Sequence, residues 1–104
     1  MEHEQIILKL IMHGGDARAK SLLALSKART GDFDEADSLL AHADEEINKA
    51  HEAQTGLIQA EVRGEQTGPV TLLLVHGQDH LMNAMTVRDL AKEMVEYMKS
   101  QGGK

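Results

Sequence analysis

One short stretch of this sequence has the residue types and spacing to do chemistry: His76-Gly-Gln-Asp79-His80. On an α-helix, positions i, i+3 and i+4 share a face, so His76, Asp79 and His80 project together from between apolar neighbours. An imidazole, with an ordinary pKa of about 6.5, is largely neutral near pH 7 and is a competent nucleophile there. A ring nitrogen of His76 could accept a phosphoryl group and pass it on. Such a transfer is mostly positioning and charge stabilisation, and His80, Gln78 or a donor from another subunit would neutralise the equatorial oxygens. A second chemistry reads His76-x-x-Asp79-His80 as a relative of the H-x-x-E-H zinc motif, with Asp shorter than the Glu that motif uses and no third protein ligand in sight. A third reading is structural: a polar pair that fixes helix register. Local spacing leaves the three open.

The elements that must position this cluster are helical. Ile7, Leu10, Ile11, Gly14, Ala17, Ser21, Ala24, Leu25 and Ala28 recur at steps of three and four, which predicts a helix over roughly 3–30. Thr30-Gly31 is a stop signal, and Asp32-Phe-Asp-Glu35 reads as a capping box opening a second helix over 33–63. Its seam is Ala36, Leu40, Ala43, Ile47, Ala50, Gln54 and Leu57. Gly64 to Pro69 forms the next connection, with Pro69 suited to the first position of a third helix over about 70–100. The tail, 101–104, has nothing to bury and is expected to be flexible. Long helices joined by short connections predict a single all-α domain, an antiparallel up-down-up three-helix bundle.

Composition sets further limits. The 104 residues include no Cys, no Trp, one Phe and one Tyr, so the core must come from Leu, Ile, Val, Ala and the six Met. The absence of Cys excludes a disulfide scaffold and any thiolate zinc site. A formal charge of -6 argues against a nucleic-acid partner, and no apolar run is long enough to enter a membrane. The start of the chain lacks the basic segment of a secretory signal, which points to the cytoplasm.

The third helix carries more apolar surface than a small bundle can cover. Leu74, Gly77, Leu81, Ala84 and Met85 can face the other two helices, whereas Leu72, Val75, Asp79, Met82 and Thr86 form a second stripe that needs another partner. Self-association about a symmetry axis would supply it. Asp79 would then meet its own copies, and either proton uptake or a hard divalent cation would relieve the repulsion.

Of the other histidines, His3 and His42 are expected to be solvated, and His13 and His51 to be hydrogen-bonded structural residues. Gly14 and Gly15 suggest a close helix crossing, at up to ~1 kcal/mol each relative to Ala. Asp16 and Arg18 could line a site or pair on the surface.

Four stretches, in order, resemble one family over nearly the whole chain: His13-Gly-Gly-Asp-Ala-Arg18, Gly31-Asp-Phe-Asp-Glu-Ala36, Asn48-Lys-Ala-His-Glu-Ala-Gln54 and Leu72-Leu-Leu-Val-His-Gly-Gln-Asp-His-Leu-Met82. The family is the IIA component of the lactose/cellobiose (chitobiose)-type bacterial phosphotransferase system. The resemblance implies a cytoplasmic homotrimer of three-helix bundles that takes a phosphoryl group from HPr and delivers it to a cysteine of a IIB component, working with a membrane IIC component. It implies His76 as the phosphoryl acceptor, and the local spacing adds His80 and Gln78 as expected site neighbours. Asp79 is then a ligand of a metal ion on the trimer axis, Mg2+ by the hardness of its donors. Gly77 departs from the Ala common in the family and is expected to loosen the third helix locally. The alternative is a non-catalytic helical interaction module whose His cluster is structural or metal-binding.

Overall fold

The structure is a computed structural model that describes residues 2–66 and 68–102. It contains three helices, α1 (Glu2–Arg29), α2 (Phe33–Val62) and α3 (Leu72–Gly102), and no strand among the described residues. They pack as an elongated bundle of 56 × 20 × 18 Å, with α1 in extensive contact with both α2 and α3. The expected up-down-up order is observed. The helix bounds match the sequence pattern to within two residues, and the expected mobility of 103–104 lies outside the described residues. Gln101 and Gly102 continue α3 rather than leaving it.

Both connections are built by a glycine in the left-handed region. Gly31 has φ +83°, and the N–H groups of Gly31 and Asp32 donate to the carbonyls of Ala28 and Lys27 at 3.0 Å each. This Schellman closure ends α1. Asp32 then opens α2, its Oδ1 accepting from the Glu35 N–H at 3.3 Å. Because the Asp32 N–H is already held by Lys27, the reciprocal half of the expected capping box has no donor left to satisfy. Gly64, φ +73°, repeats the closure at the end of α2, where the Gly64 and Glu65 N–H groups donate to the carbonyls of Glu61 and Ala60.

The start of α3 corrects the sequence reading. Pro69 lies before the helix and is not its first residue. Thr71 caps α3 instead, its Oγ1 accepting from the Leu74 N–H at 3.2 Å while its carbonyl accepts from the Val75 N–H at 3.1 Å.

The core is narrow and alanine-rich. One cluster joins Leu10, Ala17, Ala43, Ile47, Ala50, Leu81 and Ala84, and a second joins Ala24, Ala28, Ala36, Leu40, Ala91 and Val95. Between them Ser21 is fully buried, its Oγ donating to the Ala17 carbonyl at 2.8 Å, so this buried hydroxyl is satisfied within its own helix. Methionines contribute to the core only in part, Met85 packing against the first cluster and Met98 against the second. Met12, Met82 and Met94 are exposed, and Met85 and Met98 only half-buried. Ile7, Leu10, Ile47 and Leu81 supply the larger inward side chains, and the alanines between them let the helices approach closely.

Gly14 shows how tight the α1–α3 seam is. A Cβ there would lie 3.1 Å from the His80 carbonyl carbon and 3.2 Å from the Leu81 nitrogen, both backbone atoms. Gly77 makes the reciprocal approach from α3, with an added Cβ 3.3 Å from Leu10 Cβ and 3.4 Å from the Ile7 carbonyl oxygen. Rather than loosening α3, Gly77 is buried in this crossing, and the helix runs unbroken through it. Ion pairs tie the outer edges: Asp44 to Arg88 and Lys92 at 2.8 Å each, and Asp37 to Lys99 at 2.9 Å, join α2 to α3.

Candidate functional site

The crossing at Gly14 and Gly77 sets the orientation of α3. With Gly77, Leu81 and Ala84 buried, the residues one step before them, His76, His80 and Asn83, emerge together along one edge of the helix. His76 is exposed and His80 half-buried. Their Nε2 atoms lie 3.2 Å apart and the rings meet edge to face, with centroids 4.5 Å apart and planes at 90°. One ring must present a protonated Nε2 and the other a lone pair, so the pair can hold a single shared proton.

Two depressions open beside His76. One is lined by Arg18, His76, Asp79, His80 and Asn83, and the other by Leu72, Leu73, Val75, His76 and Asp79. His76 and Asp79 therefore border both a polar and an apolar surface. Arg18 reaches the polar depression from α1, and no ion pair engages it among the described residues. Its near neighbour Asp16 is paired with Lys20.

Three of the four expected site residues come together: His76, Asp79 and His80. Gln78 does not join them. Two positions along a helix is about 200° of rotation, and its Oε1 accepts from Gln54 Nε2 of α2 at 2.6 Å. Asn83 and Arg18 are the members that sequence reasoning missed or left open. Asn83 follows His76 and His80 by seven and three residues, a same-face spacing that was available in the sequence. Arg18 had no such signal, since its place depends on the register between α1 and α3.

The remaining histidines are scattered. His13 Nδ1 lies 2.8 Å from Glu46 Oε1, a half-buried bridge from α1 to α2. The hydrogen bond from His13 is the main cause that holds the Glu46 carboxyl below its ordinary range, against the opposing effect of burial; Lys49 adds to the lowering. His42 is exposed as expected, and so is His51, which was expected to be a bonded structural residue. His3 is not the solvated residue expected near the chain start. It is half-buried beside Gly68 and lines a cleft with Leu57 and Leu74.

Among the described residues no group of three or more His, Asp or Glu converges as a metal site. The zinc reading thus lacks its third ligand, and Asp79 is one carboxylate alone within a protomer. No helix among the described residues is long and apolar enough to cross a membrane.

Known proteins place this geometry in context. Residues 5–99 match the model of the family described as the lactose/cellobiose-specific IIA subunit of the PTS system. The chain is 54% identical over 95 residues to the lichenan-specific phosphotransferase enzyme IIA component of Bacillus subtilis (strain 168), covering 91% of this chain and 86% of that protein. It is 43% identical over 90 residues to the cellobiose-specific EIIA component of Lactococcus lactis subsp. lactis (strain IL1403), covering 86% and 77%. Its fold is similar to the crystal structure of the cellobiose-specific enzyme IIA from Bacillus anthracis, with a TM-score of 0.93, 46% identity and coverage of 100% and 94%. It is also similar to the IIA of the N,N'-diacetylchitobiose system, solved in solution as a IIA(chitobiose)–HPr complex, with a TM-score of 0.83, 35% identity and 98% coverage of both chains. Such components are phosphotransferases acting through a histidine. This three-helix chain belongs to the lactose/cellobiose-specific IIA subunit family of the phosphotransferase system.

Proposed function

We propose that the protein is a cytoplasmic phosphocarrier that accepts a phosphoryl group from HPr on His76 and passes it to a IIB component during sugar uptake. The observation that carries this is His76 itself: an exposed imidazole beside a second imidazole, at the meeting of a polar depression and an apolar one. A transferable group needs an acceptor that two partners can reach, and the flanking apolar surface of Leu72, Leu73 and Val75 suits transient docking. The likeness to a IIA solved with HPr supports the donor. In the first transfer the bond from phosphorus to the donor atom of HPr breaks as the bond to a His76 nitrogen forms. The released electron pair returns to that donor atom. His80, sharing a proton with His76, holds the ring orientation and can donate to a phosphoryl oxygen.

The protein acts as a homotrimer in this reading. Leu72 is 85%, Val75 44% and Met82 51% exposed, so the second stripe of α3 stands uncovered in one protomer. Three copies around an axis would cover it and bring three Asp79 carboxylates together. Those oxygens would then suit a hard divalent cation such as Mg2+, which would relieve their repulsion. A single protomer cannot hold it, and no step at His76 depends on it.

Incubating the protein with phosphoenolpyruvate, enzyme I and HPr tests the carrier reading. Intact mass is expected to rise by one acid-labile phosphoryl group, and His76→Ala to abolish the gain. A wild-type chain that gains no phosphate would overturn it.

A further inference from the structure

The phosphoryl group brings up to two negative charges to a place that already contains the Asp79 carboxylate. On a chain of formal charge -6 that arrival needs a local cation. The polar depression beside His76 contains one permanent cation, Arg18, together with Asp79, Asn83 and the two imidazoles. The apolar depression contains none. Other cations nearby in sequence are committed elsewhere: Lys20 to Asp16, and Arg88 to Asp44 and Asp89. Arg18 is exposed and carries no ion pair among the described residues, so its guanidinium is free to turn toward an anion.

Resting on the carrier reading, we propose that Arg18 is the residue that binds the phosphoryl oxygens on phosphorylated His76. A guanidinium presents two parallel N–H donors that match two oxygens of a phosphoryl group, a geometry that an ammonium cannot supply. Gly14 makes this reach possible. It lets α1 approach the backbone of α3 at His80, and Arg18 follows one turn later on α1. An arginine side chain leans toward the N-terminus of its helix, which from position 18 is toward the level of His80. Balance requires nothing further. As phosphorus moves from the donor to His76, Arg18 keeps its charge throughout and offsets that of the three oxygens. It stabilises phosphorylated protein relative to free protein, so its loss shifts the equilibrium and not only the rate.

Equilibration of wild type, Arg18→Gln and Arg18→Lys with phosphorylated HPr tests this, with phosphoryl occupancy read by intact mass and the phosphoryl ionisation by 31P NMR titration. Removing a charge-assisted, partly solvated pair is expected to lower the equilibrium constant for phosphorylation about tenfold in Arg18→Gln. Its 31P titration midpoint should move to higher pH, and Arg18→Lys should fall between the two. A merely structural arginine would not move the 31P midpoint. If wild type is labelled on His76 and both variants match it in occupancy and midpoint, Arg18 has no such role while the carrier reading stands. If wild type itself is not labelled, the carrier reading fails first. Should Arg18→Gln lose its helical circular dichroism, the comparison of wild type with Arg18→Lys decides: an occupancy constant lowered by about threefold supports the assignment, and an unchanged one overturns it.

Discussion

The α1–α3 crossing can be tested by adding one carbon to Gly14. In Gly14→Ala the new Cβ would stand 3.1 Å from the His80 carbonyl carbon, 3.2 Å from its oxygen and 3.2 Å from the Leu81 nitrogen. Carbon contacts are most favourable at about 3.5–4.0 Å, so the two backbones must separate by several tenths of an ångström. No side-chain rotation can relieve this, because all three neighbours are backbone. Overpacking of this kind costs about 1–3 kcal/mol, while replacing a mid-helix glycine by alanine returns up to about 1 kcal/mol. The net expectation is a loss of about 0–2 kcal/mol. Gly56→Ala is the internal control, since Gly56 is an exposed helical residue of α2 with nothing within 4 Å of an added Cβ. It should gain about 0.5–1 kcal/mol. The two variants should therefore separate in urea denaturation, with Gly14→Ala at the lower midpoint by roughly 0.25–1.5 M for an m-value of about 2 kcal/mol/M. Protein concentration must be matched, because the midpoint of an associating bundle depends on it. If Gly14→Ala is stabilised as much as Gly56→Ala, the close crossing is not real and the account of how the site is positioned fails with it.

Thr71→Ala removes the α3 cap and should cost about 1 kcal/mol, seen as roughly fivefold faster amide exchange at Leu74 and Val75. Glu46 and Asp44 both have carboxyls held below their ordinary range. For Asp44, burial acts upward but hydrogen bonds from Lys92 and Arg88 outweigh it. Groups lowered in this way add stability above the unfolded carboxylate pKa, about 4, and that stability is lost as pH falls through the folded value. Thermal melts of wild type should therefore drop between about pH 5 and pH 3. Glu46→Gln should melt lower at pH 7 by the equivalent of up to about 1 kcal/mol and lose less on acidification; an unchanged acid slope would mean the pair with His13 does not form. Asp79→Leu should raise the trimer association constant at least about tenfold in chelator, as carboxylate repulsion is removed. A weaker assembly than wild type once Mg2+ replaces the chelator would argue instead that the carboxylates hold a cation that binds the copies together.

Much of this architecture is legible from three- and four-residue spacing. Ile7, Leu10, Gly14, Ala17, Ser21, Ala24 and Ala28 all point inward on α1, as their period requires. The features that escape the sequence are those where two local signals compete or where the contact is between helices. Pro69 and Thr71 both signal a helix start, and the threonine prevails because its hydroxyl satisfies a backbone donor that proline cannot serve. At Asp32 the side chain signals a capping box, but the glycine before it closes α1 with the very N–H the box would use. Inward-facing Ala91 and Val95 extend the α3 stripe past Met85, where the charged run Arg88-Asp-Leu-Ala-Lys92 masks the period. In the site, His76, Asp79, His80 and Asn83 share an edge that one helix defines alone. Gln78 is close to them in sequence and turned away in space, bonded to Gln54.

The glycines and the charged groups of the site are parts of one device. Helix axes pack 8–10 Å apart according to the side chains between them, and a leucine-lined seam would lie at the wide end of that range. Glycine at 14 against the His80 backbone, and glycine at 77 against Leu10 and Ile7, hold α1 and α3 at the narrow end instead. Only a few large side chains fit such a seam, Ile7, Leu10 and Leu81 among them, and alanines fill the positions between. It also leaves α3 with an uncovered outer stripe next to His76, so in the proposed carrier the surface that would take other copies of the chain adjoins the surface that would admit a phosphoryl donor. Asp79 borders both. In the proposed trimeric carrier its carboxylate would face both the copies gathered at an axis and the charge of an incoming phosphoryl group, and Arg18, in the same polar depression, is the cation placed to offset that charge.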